Sequence, residues 1–160
     1  MTTRTLHPPD ARLFQVLYAL GLGPVVGRLI LLLTTTGRKT GRRRVTALQY
    51  EELDGAYLLG SSRGMQADWV RNLVARPEVE VRVRSRRFRG RAEAITDPDR
   101  ITDFLELRLK RHPRMVGRIL QMEGFPARPT RPQLLAYASH LALVIIRPLA
   151  GESPGSTQVL

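Results

Sequence analysis

"VTALQYEELDGAYLLGSS", Val45 to Ser62, is the stretch on which the fold turns. Two runs of strand-forming residues flank Asp54-Gly55. A type I′ turn needs positive φ at both central positions, and Asp-Gly is among the pairs that supply it. The stretch therefore reads as a hairpin, Val45 to Leu53 returning as Ala56 to Ser62. Hairpins build antiparallel sheets and need no crossover helix.

Upstream, Leu29 to Thr36 is a short apolar run ending in β-branched residues, the pattern of a buried strand. Downstream, Asp68 reads as the N-cap of a short helix with Trp69, Leu73 and Val74 inward and Pro77 as its limit. Val79, Val81 and Val83 then alternate with Glu80, Arg82 and Arg84. A turn over Ser85 to Arg87 leads into Phe88 to Ile95, with Gly90, Ala92 and Ala94 opposite Arg89, Arg91 and Glu93. Asp97-Pro98 places a cap and a first-turn proline before the stripe Ile101, Phe104, Leu105 and Leu109, which His112-Pro113 ends. Met115 to Met122 reads as a further helical piece, Gly124 to Pro132 as a loop and Leu141 to Ile146 as a last buried strand. The expected fold is α+β, mainly β: about six short, mostly antiparallel strands in a small barrel with helices packed outside. Residues 1–28 are expected to form an N-terminal helix and glycine-rich turn, 29–148 the barrel domain and 149–160 a disordered tail.

The chain of 160 residues is long enough for one domain with a core of its own. It has no cysteine, which excludes disulfides, thiol nucleophiles and Cys-ligated metals and fits a cytoplasmic setting. Leu13 to Leu33 is largely apolar, but Gly21, Gly23, Pro24 and Gly27 interrupt it and Arg28 charges it, against a single spanning helix. A peripheral membrane contact through the first helix stays open. The net charge of +12 attracts phosphates, acidic small molecules or anionic headgroups.

Much of that charge lies in two places. Gly37 to Arg44 carries the five cations Arg38, Lys39, Arg42, Arg43 and Arg44. It superficially resembles a phosphate loop, yet it leads into a strand and lacks the Gly-Lys-Ser/Thr step into a helix that a Walker loop needs. Arg82, Arg84, Arg86, Arg87, Arg89 and Arg91 form a second, ribbon-like set that leaves nucleic-acid binding open, although few aromatic residues accompany it for base stacking. Gly60-Ser61-Ser62-Arg63-Gly64 fits the spacing of a nucleophile elbow, but that chemistry needs a parallel α/β sheet with an acid and a histidine following. His7, His112 and His140 show no ligand spacing, so no metal site is expected. With no acid, base or nucleophile in a catalytic setting, an enzyme of this kind would take its chemistry from a cofactor held by charge-assisted bonds.

Two segments, "LLLTTTGRKTGRRRVTALQY" and "DGAYLLGSSRGMQADWVRNLVARPEVEV", together resemble the deazaflavin (F420)-dependent nitroreductase and quinone reductase family, a split β-barrel of flavin-reductase type. The resemblance implies an oxidoreductase that moves a hydride from reduced F420 to a quinone, nitro compound or similar acceptor. It implicates Arg38, Lys39, Thr40 and Arg44 in holding the cofactor's phosphate and acidic tail. It implicates Thr46, Ala47, Ser62, Arg63 and Gly64 around the deazaflavin, with Ser62 as a hydrogen-bond donor to the ring. Trp69 and Asn72 match the short helix that closes the pocket. A homodimer is implied on the same basis. The chain departs from the pattern in having Ala47 for a common proline, Val70 for a common aromatic and a short turn before Trp69. A split barrel that binds FMN or haem, a carrier of F420 without catalysis, and a basic nucleic-acid-binding module are the alternatives.

Overall fold

The computed structural model describes residues 30–152. The helix expected near the N-terminus lies outside them, as does most of the tail. In chain order the elements are β1 (Ile30–Thr36), β2 (Arg43–Gln49), β3 (Glu51–Leu53), β4 (Ala56–Ser61), a 3-10 turn (Gly64–Gln66) and α1 (Asp68–Ala75). There follow β5 (Glu78–Val83), β6 (Arg86–Ile95), α2 (Pro98–Arg111), α3 (Pro113–Met122), α4 (Arg131–Ala138) and β7 (Ala142–Pro148). The strands form one seven-stranded sheet in the order β2-β1-β5-β6-β7-β4-β3. Every pairing in it is antiparallel.

The hairpin at Asp54-Gly55 forms as the sequence requires, with φ of 51° and 77° at the two central residues. Its first arm, however, is two strands. Arg43–Gln49 pairs with β1, and after Tyr50 the chain bends so that Glu51–Leu53 pairs with β4 instead. One continuous stretch thus belongs to both ends of the sheet order. The sheet curls until its ends meet, and it stays open where β2 has left β4. This bend is why seven strands replace the expected six or so, and it creates the split.

Long apolar runs follow from burial on both faces. Leu31 and Leu33 of β1, Val144 and Ile146 of β7, and Val81, Val83 and Phe88 of the β5–β6 hairpin meet Trp69, Val70 and Leu73 of α1 in one core. The alternate residues of β7, Leu143 and Ile145, face the other way onto Ile101, Phe104, Leu105, Val116, Leu120 and Leu134 of the three later helices. Asp97 caps α2, its side chain accepting from the Asp99 amide at 3.0 Å.

Several local expectations shift. Asp68 is the first residue of α1, not its cap: Ala67 holds the cap position with no side-chain bond, and the Asp68 carboxylate instead lies 3.1 Å from the Arg38 guanidinium. Val70 is buried while Val74 is 52% exposed, so the apolar face of α1 is rotated from the expected one. The β5–β6 turn falls one residue early, with Arg84 at φ 54°. Helix α4 starts at Arg131 inside the expected loop, with a capping box between Thr130 and Gln133. Leu149 donates to the Arg89 carbonyl at 3.0 Å, so the chain stays tied to β6 just past β7. Among the described residues no helix is long and apolar enough to cross a membrane.

Candidate active site

The loop between β1 and β2 is closed by its own backbone. Gly37 donates to the Arg42 carbonyl at 2.7 Å, and Gly41, at φ 70°, donates to the Gly37 carbonyl at 2.8 Å. The Thr40 hydroxyl oxygen accepts from the Arg42 amide at 3.2 Å. Arg38 turns back from this loop. Its guanidinium donates to Asn72 Oδ1 at 2.8 Å and to Asp68 at 3.1 Å, and its backbone amide donates to the same Asn72 oxygen at 3.2 Å. Asn72 is buried, and its amide nitrogen donates to Thr35 at 3.5 Å. Asn72 is therefore a rivet between α1 and the base of the loop. Arg43 pairs with Glu80 at 2.8 Å. Among the described residues, Lys39, Arg42 and Arg44 are exposed and have no carboxylate within ion-pair distance.

The split in the barrel is a cleft of about 600 Å³. Thr46 to Gln49 of β2 form one wall, Gly60 to Arg63 the opposite one, Ala67 to Trp69 its end, and Ile119 and Met122 of α3 overhang it. β2 has a strand partner on one side only, so the backbone groups that β1 does not use remain available at the opening. Ser61 is buried and donates to the Gly64 carbonyl at 2.8 Å. That bond tightens the turn and leaves Ser62 and Arg63 at the cleft. Gly64 is buried behind them at φ 58°, where a Cβ would stand 2.9 Å from the His140 carbonyl oxygen. Only glycine fits there without displacing the strand that follows.

Of the residues singled out in the sequence, Thr46, Ala47, Ser62, Arg63 and Trp69 thus line one cleft. Gly64 shapes its rim. Arg38 and Asn72 tie the basic loop to the cleft through Asp68, which is both a cleft residue and the ion-pair partner of Arg38. Lys39 and Thr40 stand on the loop and Arg44 at the start of β2, and none of the three lines the cleft. No nucleophile elbow exists: β4 is antiparallel to both neighbours, and His112 is engaged by Glu51 at 3.1 Å.

Leu48, Gly60, Ser61, Ala67 and Asp68 line the cleft without having been anticipated, and further unanticipated residues come from the later helices. A smaller cavity of about 120 Å³ shares Gly60, Ser61, Ser62 and Ile119 with the cleft and continues among Phe104, Leu105, Leu120 and Tyr137. Arg108 enters its lining, and burial lowers the guanidinium pKa from its ordinary value against the opposing pull of Glu51. Burial likewise raises the Tyr137 phenol. Arg108 carried a signal in the sequence, since it follows Phe104 and Leu105 at helical spacing on the apolar stripe of α2.

An open-edged cleft with hydroxyl and aromatic walls, beside a basic loop only partly paired, is a concave site of the kind that takes small molecules. The family model of F420H(2)-dependent quinone reductase matches residues 12–115, and the chain belongs to that family. It is 42% identical over 74 residues to an F420H(2)-dependent quinone reductase of Mycobacterium tuberculosis, a match covering 43% of this chain and 50% of that protein. The chain thus spans about half the length of the curated relatives it matches. The fold is shared with an F420-H2 dependent reductase (TM-score 0.52, 22% identity, 75% of this chain and 95% of that one). It is also shared with a pyridoxamine 5'-phosphate oxidase-related, FMN binding protein of Nostoc punctiforme (TM-score 0.51, 15% identity, 91% and 82% covered).

Proposed function

We propose that the protein is an F420H2-dependent oxidoreductase that reduces a quinone, a nitro compound or a similarly activated acceptor. The observation that carries this reading is the junction of cleft and loop at Asp68, with Arg38 joining the two at 3.1 Å. The donor set suits the cofactor. The cleft falls within the roughly 300–1,000 Å³ usual for small-molecule sites. Its hydroxyls, from Thr46 and Ser62, suit ring heteroatoms, and Trp69 supplies an apolar end. Lys39 and Arg44 suit a phosphate and carboxylates, with Thr40 adding a hydroxyl.

When bound, the reduced deazaflavin supplies the hydride. The chain's own residues bind, orient and exclude water. With the cofactor bound, Ser62 would donate a hydrogen bond to it, the free edge of β2 would offer backbone groups, and Arg63 would line the wall opposite Thr46 and Ala47. Arg38 and Asn72 act as positioning residues, because their side chains are spent on each other and on Asp68. Gly64 keeps the turn in place. Asp68 is the carboxylate of the cleft lining and is paired with Arg38, so it is not set to deliver the proton that accompanies the hydride.

FMN is the second reading, since a protein of the same fold binds it. The three unpaired cations of the loop and the start of β2, Lys39, Arg42 and Arg44, exceed what one phosphate group requires and favour a longer acidic chain. The test is anaerobic oxidation of F420H2 by a soluble quinone, followed by absorbance with and without the protein. Protein-dependent oxidation that reduced FMN does not support is expected. Oxidation no faster than the protein-free background, or faster with FMN, would overturn the assignment.

A further inference from the structure

A second basic site stands apart from the cleft. Between the end of α2, helix α3 and the segment that follows it lies a groove of about 700 Å³, lined by Lys110, Arg114, Arg118 and Arg128 and by no carboxylate. Arg114 and Arg118 are one turn apart on α3, where like charges repel. None of these cations has a carboxylate within 4.0 Å among the described residues, although most arginines nearby do. Arg131, three positions beyond Arg128, is held by Asp103 at 3.0 Å, Glu106 at 2.9 Å and Asp99 at 3.7 Å. Arg111, between Lys110 and Arg114, is held by Glu51 at 3.2 Å. The groove is also fixed in shape: a Cβ at Gly117 would stand 3.2 Å from the Ala127 carbonyl oxygen, so the missing side chain lets the segment carrying Arg128 sit against α3. Helix α3 separates the two sites, presenting Ile119 and Met122 to the cleft and Arg114 and Arg118 to the groove.

We propose that this groove binds phosphate groups, either of a soluble polyphosphorylated molecule or of lipid headgroups, independently of the cofactor cleft. Converging unpaired cations around a concave, carboxylate-free surface recognise multiply charged oxyanions through charge-assisted bonds. The inference does not rest on the cofactor assignment.

The test uses the full chain and two probes at low salt: calorimetric titration with inorganic triphosphate, and co-sedimentation with vesicles of phosphatidylglycerol and phosphatidylcholine against phosphatidylcholine alone. Three charge-matched double variants are compared: Arg114→Ser with Arg118→Ser in the groove, Lys39→Ala with Arg44→Ser in the loop, and Arg87→Ser with Arg89→Ser on the β5–β6 hairpin. The groove variant is expected to bind at least one probe about tenfold or more weakly, roughly the worth of one charge-assisted contact, with the β5–β6 variant within about twofold of wild type and the loop variant losing only the share of phosphate binding that belongs to the cofactor site. Loss confined to triphosphate assigns a soluble ligand, and loss confined to vesicles assigns a headgroup. Equal losses in all three variants would mean an unspecific positive field and overturn the proposal. So would a loss confined to the loop variant, or failure of the wild type to bind either probe. All substituted residues are exposed, and a melting curve for each variant verifies folding. F420 titration of the groove variant is expected to match wild type.

Discussion

The β5–β6 hairpin and the stretch between β1 and β2 are both strongly basic in the sequence, but they differ in what holds their charges. On the hairpin, Arg87 pairs with Glu80 at 3.1 Å, Arg89 with Glu78 at 3.4 Å and Glu152 at 3.5 Å, and Arg84 with Glu52 at 3.6 Å. Arg86 donates to the Tyr57 hydroxyl. The loop and the first residues of β2 spend Arg38 and Arg43 on such partners and leave Lys39, Arg42 and Arg44 without them. A hairpin with most of its cations matched to carboxylates is a largely self-contained surface, poorly suited to line a phosphate backbone. A loop with unmatched cations, riveted beside a cleft, is suited to an external anion. Pairing, not the count of charges, separates the two.

The same distinction orders the effects of removing charges. The largest loss is expected where a pair is buried. Glu51 is 4% exposed and gathers Arg108, Arg111 and His112 at 3.5, 3.2 and 3.1 Å. Glu51→Gln strands the half-buried Arg108 and should cost about 3 kcal/mol, a fall of roughly 10 °C in a thermal melt for a chain of this size. A melt within a degree of wild type would show that Arg108 is not held by Glu51.

Next comes the rivet. Asn72→Ala removes the acceptor of both Arg38 donors and should cost about 2 kcal/mol. It should also weaken F420 binding, because the loop base loses its anchor to α1. Normal affinity alongside lowered stability would separate the rivet from the site. For an unpaired loop cation the order reverses. Lys39→Ala should leave the melt unchanged and weaken F420 binding about five- to tenfold at low salt, with the difference shrinking as salt screens the contact. A salt-independent effect would argue against direct charge recognition. The smallest change belongs to the exposed pairs: Arg87→Ser should shift stability by no more than about 0.5 kcal/mol and F420 affinity not at all. A tenfold loss of affinity there would erase the contrast between the two regions.

Much of the fold could be read in advance because it rests on local signals. Asp54-Gly55 dictated a turn, the alternation over Val79 to Arg84 dictated a half-exposed strand, and Asp97-Pro98 dictated a helix start. What could not be read depends on tertiary partners. The bend at Tyr50 has no local marker: Val45 to Leu53 is uniformly strand-like, and only the change of partner from β1 to β4 divides it. Asp68 has the chemistry of a cap, but Arg38, thirty positions away, competes for its carboxylate. The cleft walls from β2, the β4 turn and Trp69 were legible through the family resemblance. The overhang by Ile119 and Met122 was not, since α3 reaches the cleft only through its packing on α2 and β7. The pairing state of each arginine is likewise invisible until the sheet register sets which glutamate stands across from it.

The central claim is that the loop and the cleft together hold F420, and fluorescence titration of the full chain with F420 at low and high salt tests it most directly. Saturable binding, weakened by salt and by Lys39→Ala and unaffected by Arg87→Ser, is the predicted result. No saturable binding of F420, or binding indifferent to both salt and the loop substitution, would contradict it.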